Sequence, residues 1–387
     1  MDPYDYAAAR LPSDRRAAVT AFWEHFIRHT DGLDGCFSSG MRDRSTDPVT
    51  VMAALREVSP ELMWEFGPSQ RGHALCITAE WRDELRPLAR LMREMAPDLP
   101  RWEFLEARRP SAPEELSPAN LSGRLQGALR LTDVTAKPGL DGRIDLVGHG
   151  TGSADELSRQ ALVFASMLLG EAEERDWIGA CDGEPEKSGF LGMFRGGPKR
   201  QFDPLAIAER LHDEIARARA ARPERPYGEV SLDDRPTTLF RLTPRASEQP
   251  RADLVTYAAP SEVLARAMLG GARFSSGCYS RHGEWFIYLR VPRSLERPFD
   301  NVDDRSALEQ ALHEALSEDG LGGFVAGGHG ENHVYIDLAM RDVGRGIDRV
   351  SEVMAAAGLA RDATIHFFDQ GLTALIIPAA PPSSQVH

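Results

Sequence analysis

The chain has 387 residues, 42% apolar and 27% charged, with a formal net charge of -14. A pI near 5.3 and a mean hydropathy of -0.35 exclude a disordered chain and disfavour a nucleic-acid partner, because a negative surface repels phosphate backbones. Basic partners are favoured instead, and the length calls for two or more domains.

The N-terminus, "MDPYDYAAARLPSDRR", carries acids where a secretory signal needs a basic region and an apolar run, and no later segment is apolar enough to span a bilayer. Cys36, Cys76, Cys181 and Cys278 are far apart and form no CxxC pair. The expectation is a cytoplasmic protein with reduced cysteines, no membrane segment and no cofactor.

Along the chain, Ser13 is placed to cap a helix running to about Arg28, with Val19, Phe22, Trp23, Phe26 and Ile27 at helical spacing. Asp47 and Pro48 open a second helix, Asp47 as cap and Pro48 at the position that tolerates a missing N–H. One order then recurs: strand, strand, helix, strand. The first copy is "ELMWEFGP", "HALCITAE", "DELRPLARLMREM" and "RWEFLEARR". The second is "GRLQGALRLTDVTA", "GRIDLVGHG", "ADELSRQALVFASMLLG" and "ERDWIGACD". In that copy Ser153 caps the helix, Glu156 completes a capping box and Gly170 ends it.

A third copy runs through "TTLFRLTPR", "ADLVTYAAP" and "SEVLARAMLGG", returning through "RFSSGCYS" or "EWFIYLRVP". A fourth runs through "GGFVAGG", "HVYIDLAMR", "GRGIDRVSEVMAAAG" and "ATIHFFDQ". The Ile-Asp-Leu strands of copies two and four place Asp145 and Asp337 at one structural position.

These units predict an α+β protein of repeated strand-strand-helix-strand units, forming ferredoxin-like antiparallel sheets with helices on one face and the other face open. Residues 1–182 form an N-terminal domain of two units, 183–203 a Gly/Lys/Arg-rich linker, 204–377 a C-terminal domain of two units, and 378–387 a disordered tail. Phe190, Leu191, Met193 and Phe194 are oddly apolar for a solvated linker; they either tuck into a domain interface or form a partner-docking surface.

The chemistry-bearing stretch is "GGHGENH", 327 to 333. His329, Glu331, His333 and Asp337 carry donor types suited to a metal ion, which makes a metal-dependent hydrolase one alternative. The plainer reading is a hairpin whose glycines supply positive φ and whose exposed tip is Glu331 and Asn332. His25 and His29 lie one helical turn apart with no acidic or cysteine partner motif nearby. The Phe-Ser-Ser-Gly stretches at 37 and 274 lack the elbow motif of a nucleophilic serine, and no catalytic residue is assigned. Trp64, Trp102, Trp177 and Trp285 fall in predicted strands as sheet packing.

Residues 62 to 110, with Glu65, Gly67, Pro68, Ile77, Thr78, Ala79, Ala96, Pro97, Leu99, Pro100 and Trp102, resemble a family of uncharacterised bacterial proteins, as does "LLGEAEERDWIGACD". The stretch from "YIDLAMRDVG" to "ATIHFF" is similar to small immunity-like α+β modules of bacteria. The resemblance implies an α+β fold and a bacterial origin and names no active site; the acidic charge, the expected open sheet faces and the absence of a coherent catalytic constellation point to an interaction module, in its most concrete form an immunity-type protein that occludes a toxin or another basic partner. A small-metabolite-binding sensor is the further alternative. The oligomeric state is open.

Overall fold

The computed structural model describes residues 1–39, 47–186, 202–245, 247, 249–270, 273–293 and 302–380, of which 302–304 are described by backbone alone. Phe190, Leu191, Met193 and Phe194 lie outside the described residues, as do most of the expected linker and tail. Contacts divide the chain into two units, Met1–Arg108 with Gln370–Ile376, and Arg109–Asp369 with the remainder. The expected boundary at 183–203 is therefore displaced to Arg108. The cause is that strand and helix on either side of that segment pack into one core, in which Ile178 and Trp177 join Ile207 and Leu211.

The first unit begins with α1 (Pro3–Ala8), α2 (Ser13–Ser38), α3 (Pro48–Met52) and α4 (Leu55–Val58). The Asp47 carboxylate accepts the Val49 N–H at 2.9 Å, the cap that the sequence calls for. A sheet follows, β1 (Met63–Ser69), β2 (Gly72–Thr78) and, after α5 (Arg86–Glu94), β3 (Trp102–Leu105). β1 is antiparallel to β2, and β2 is parallel to β3. Phe22, Trp23, Phe26 and Trp102 form an aromatic core whose indole N–H groups are spent, Trp23 on the Met92 carbonyl and Trp102 on Asp34.

The second unit contains α6 (Pro118–Leu125), then β4 (Leu131–Pro138), β5 (Ile144–Gly150), α7 (Ala154–Trp177) and β6 (Ile178–Pro185). Its first sheet repeats the pairing of β1 to β3, antiparallel and then parallel. Ser153 caps α7 by accepting the Glu156 N–H at 3.2 Å. Gly170 does break the helix, at φ 72, but helical turns resume beyond it and carry Trp177 in the helix, not in a strand.

There follow α8 (Pro204–Ala220), β7 (Thr238–Arg241), β8 (Leu254–Ala259), α9 (Glu262–Leu269), α10 (Ser276–Tyr279) and β9 (Trp285–Pro292). The chain closes with α11 (Val302–Glu318), β10 (Gly322–Gly330), β11 (His333–Met340), α12 (Val343–Ala356), β12 (Thr364–Phe367) and β13 (Ile377–Pro378). Copies three and four do not form separate three-stranded sheets. Their strands merge into one antiparallel sheet, ordered β13-β12-β9-β11-β10-β8-β7. Within it, β9-α11-β10-β11-α12-β12 is a split unit in which β9 separates β11 from β12.

The expectation of purely antiparallel sheets fails at β2/β3 and β5/β6, where a crossover helix returns the chain in the same direction. The expected open face also fails at the sheet centre, since Val334 to Met340 are all buried. One side of β11 presents Tyr335 and Ala339 to the core built with α7 and β5. The structure is mixed α and β, and no helix among the described residues is long and apolar enough to cross a membrane.

Candidate functional site

The hairpin of β10 and β11 turns through Glu331 and Asn332, both exposed. Its glycines act differently from expectation. Gly327, Gly328 and Gly330 have no positive φ. They leave room instead: a Cβ on Gly327 would stand 2.6 Å from Glu309 Oε1, so the bare strand seats that carboxylate.

The four proposed metal-binding residues do not converge. His329 pairs with Val334, so alternation puts its imidazole on one face of the sheet, while His333, Tyr335 and Asp337 occupy the other. His333 contacts Asp253 at 3.3 Å, and Asp253 also accepts the Tyr335 hydroxyl at 2.5 Å and the Asn332 N–H at 3.0 Å. Burial pushes the Asp253 carboxyl up, but those hydrogen bonds hold it below the usual range.

Asp337 is fully buried and gripped by Arg251, Nη1 to Oδ1 at 3.0 Å and Nη2 to Oδ2 at 3.2 Å, while Tyr257 donates to Oδ2 at 2.6 Å. Rings of Tyr257, Tyr288, Tyr335 and Phe368 lie within 5.5 Å of that guanidinium. Burial opposes the Arg251 charge, and the Asp337 carboxylate more than offsets it. These carboxylates serve the core. No group of three or more His, Cys, Asp or Glu suited to a metal occurs among the described residues.

The serine loop is likewise structural. Ser276 donates to Asp369, accepts the Phe286 N–H at 2.9 Å, and its own N–H reaches Asp369 Oδ1 at 2.9 Å. Burial pushes the neighbouring Cys278 thiol up to about 11, which makes it a poor nucleophile. His25 and His29 stack at 4.4 Å on α2 with no partner cluster.

A different constellation has the features of a ligand site. A cavity of about 430 Å³ lies between the end of α8, the turn after it, Pro236, the start of α9 and α10. Its walls are Pro223, Val230, Pro236, Pro260, Val263 and Leu264, and three guanidiniums enter the lining: Arg222, Arg225 and Arg235. No carboxylate lines it.

Each guanidinium is held by neutral carbonyls. Arg222 Nε donates to the Cys278 carbonyl at 2.7 Å and Nη2 to that of Gly142. Arg225 donates to the Glu229 carbonyl. Arg235 donates to the carbonyls of Phe324, Tyr227 and Val230. None of the three makes an ion pair among the described residues. Glu284, whose charge acts on Arg235, is 2% exposed and spends its oxygens on the Tyr227 N–H at 2.8 Å and the Ser280 hydroxyl at 2.8 Å. Burial lowers Arg235 to about 10, so it stays cationic at neutral pH.

Two buried donors of lining residues make no hydrogen bond among the described residues: the Tyr279 hydroxyl, in a side chain only 3% exposed, and Arg235 Nε. Both atoms are sealed from solvent behind the lining, so the groups that face the cavity are the guanidiniums and not these two donors.

A second cavity, about 770 Å³, lies on the other side of α9, lined by Leu140, Asp145, Gly179, Phe240, Leu242 and Ala265 among others. Asp145 gives one oxygen to the Ala180 N–H at 2.9 Å and makes no ion pair among the described residues. Compared with protein-family models, with curated proteins and with solved structures, the chain matches none.

Proposed function

We propose that this chain is a small-metabolite-binding sensor whose site is the arginine-walled cavity. The observation that supports it is a concave, largely apolar space whose lining carries three guanidiniums and no carboxylate, a few polar groups in apolar walls being the usual make-up of a small-molecule site. The test is native mass spectrometry of the full chain after incubation with the small-molecule fraction of a bacterial extract. A discrete adduct that Val263→Trp removes, by filling the cavity, is the expected result; an adduct unaffected by that substitution contradicts the reading.

A second reading, the interaction module of immunity type, draws on another surface. β7 is the last strand of its sheet, with Leu239 64% exposed, and Phe240 beside it lines the larger cavity, next to the unpaired Asp145. An extended basic segment would extend the sheet there and reach that carboxylate. Loss of such binding on Leu239→Pro, with the thermal transition unchanged, is its check. The split order of β9 to β12 supports a ferredoxin-like assignment for that part of the chain, and kinship with immunity-like modules belongs to the same proposal.

A further inference from the structure

The larger cavity, on the other side of α9, holds a carboxylate whose charge nothing answers. We infer that it takes a primary ammonium carried on a ring-sized apolar body, a free amine whose N–H is received by Asp145. The site is separate from the arginine-walled cavity and stands or falls without it.

Sign comes first. Three carboxylates and two guanidiniums enter the lining. Arg143 answers Asp141, Nε to Oδ2 at 3.1 Å, and gives Nη1 to the Ile178 carbonyl at 3.1 Å. Arg266 answers Glu262, Nη2 to Oε1 at 2.6 Å. The two cations cancel two of the three acids, and the charge that remains is that of Asp145. Lys137 lies opposite Asp145 in the β4–β5 register, but it is exposed and makes no ion pair with that carboxylate. An anion here would meet guanidiniums already neutralised and lie against an unpaired acid, so a cation is favoured.

Valence comes second. Asp145 Oδ1 accepts the Ala180 N–H at 2.9 Å. Cβ atoms on Gly139 and Gly179 would stand 3.0 and 2.6 Å from that oxygen, so two stretches of bare backbone seat it. Oδ2 makes no hydrogen bond among the described residues and is not one of the sealed polar atoms of the fold. A half-buried carboxylate fixed by one oxygen and open at the other suits a single charge-assisted N–H···O bond, which an ammonium makes. The planar fork of a guanidinium or amidinium asks for both oxygens, and Oδ1 is engaged. A quaternary ammonium has no N–H and asks for a cage of rings, whereas the described lining holds one, Phe240.

Shape comes third. Leu140, Phe240, Leu242, Ala265 and Leu269 supply hydrocarbon to a space of about 770 Å³, the size of a small-molecule site. A lysine side chain on an extended segment would bring the same ammonium. Its unbranched stem fills little of that volume, which favours the free amine.

The experiment is calorimetric titration of the full chain at neutral pH with benzylamine, benzyl alcohol, benzyltrimethylammonium and a blocked strand peptide bearing one lysine. Benzylamine is expected to bind with a dissociation constant on the order of 1 mM, as its few heavy atoms allow. The alcohol and the quaternary ion should bind at least about tenfold more weakly, the scale of one charge-assisted hydrogen bond. Asp145→Asn should lose about tenfold for benzylamine and nothing for the alcohol. Ala180→Trp, at an exposed lining position, fills the space without touching the carboxylate; it should abolish benzylamine binding and keeps the proposal testable should Asp145→Asn misfold. Lys137→Met removes a neighbouring like charge and should tighten benzylamine alone.

If the alcohol binds as well as benzylamine and Asp145→Asn changes neither, the ammonium assignment is overturned. If benzylamine binds and neither Asp145→Asn nor Ala180→Trp weakens it, the cation is only drawn to a chain of net charge -14, and the site is overturned. If the peptide binds at least about tenfold more tightly than benzylamine and Leu239→Pro removes that gain, the ammonium comes from a chain along β7 and the free amine is overturned. If nothing binds at about 10 mM, the inference falls while the sensor reading, which concerns the other cavity, is untouched.

Discussion

Two arginine environments in the second unit differ in one respect that matters. Arg251 is sealed in aromatic rings and meets Asp337 through two hydrogen bonds, so its charge is fully answered inside the fold. Arg222 and Arg235 are held as firmly, yet by carbonyl oxygens, and their charge is left for something else to answer. Rigid support with charge compensation is a structural device; rigid support without it is preorganisation for an anion.

The comparison is broken most forcefully at the paired end. Asp337→Ala leaves Arg251 buried and unpaired, and should cost roughly 3–5 kcal/mol in urea unfolding. A loss near that of an ordinary surface change would mean that the pair is not doing what its geometry implies.

The second largest effect is on pH. Burial lowers His313, His329 and His366 to about 4, so these groups are neutral in the fold and protonated in the unfolded chain between about 4 and 6.5. The unfolded state then binds more protons, and stability is expected to fall as pH drops through that window. Glu309 works in the opposite sense: burial raises it to about 7, so its contribution is present at low pH and is lost as pH rises through 7. Urea midpoints of Glu309→Gln relative to the parent should therefore climb between pH 5 and 8. A parallel pair of curves would contradict the burial of that carboxylate.

At the unpaired end the effect on stability is small. Tyr279→Phe removes a hydroxyl that has no partner in the fold, so its unfolding free energy should move by about 1 kcal/mol or less, toward greater stability if at all. Smallest of all is the hairpin tip. Glu331→Ala should lie within about 0.5 kcal/mol of the parent, and a chelator should leave the parent's melting temperature unchanged.

Much of the local structure was legible. The Asp47 and Ser153 caps, the two strand-strand-helix-strand units before residue 186 and the Glu331-Asn332 tip follow from short-range chemistry. The merged sheet was not, because β12 beside β9 and β8 beside β10 are pairings between distant segments that no periodicity encodes. The unit boundary was missed for a related reason: Gln370–Ile376 returns to the first unit, where Gly371 lies 3.1 Å from the Tyr4 ring if given a Cβ.

The candidate site was missed because its residues match no catalytic motif. One signal was present. Arg222, Arg225 and Arg235 each precede a proline, and the residue before proline is confined to extended backbone. Three such arginines within a short stretch describe stiffly mounted cations. The Gly-His cluster near 330 drew attention by residue type alone, and strand alternation separates its imidazoles.

The most direct test of unanswered charge as a ligand site is the anomalous signal in a crystal grown with 4-iodobenzoate. The account predicts iodine against Val263 and Leu264, with the carboxylate toward the guanidiniums that line the cavity, Arg222, Arg225 and Arg235. An empty cavity at saturating ligand, or iodine only elsewhere on the molecule, would contradict it.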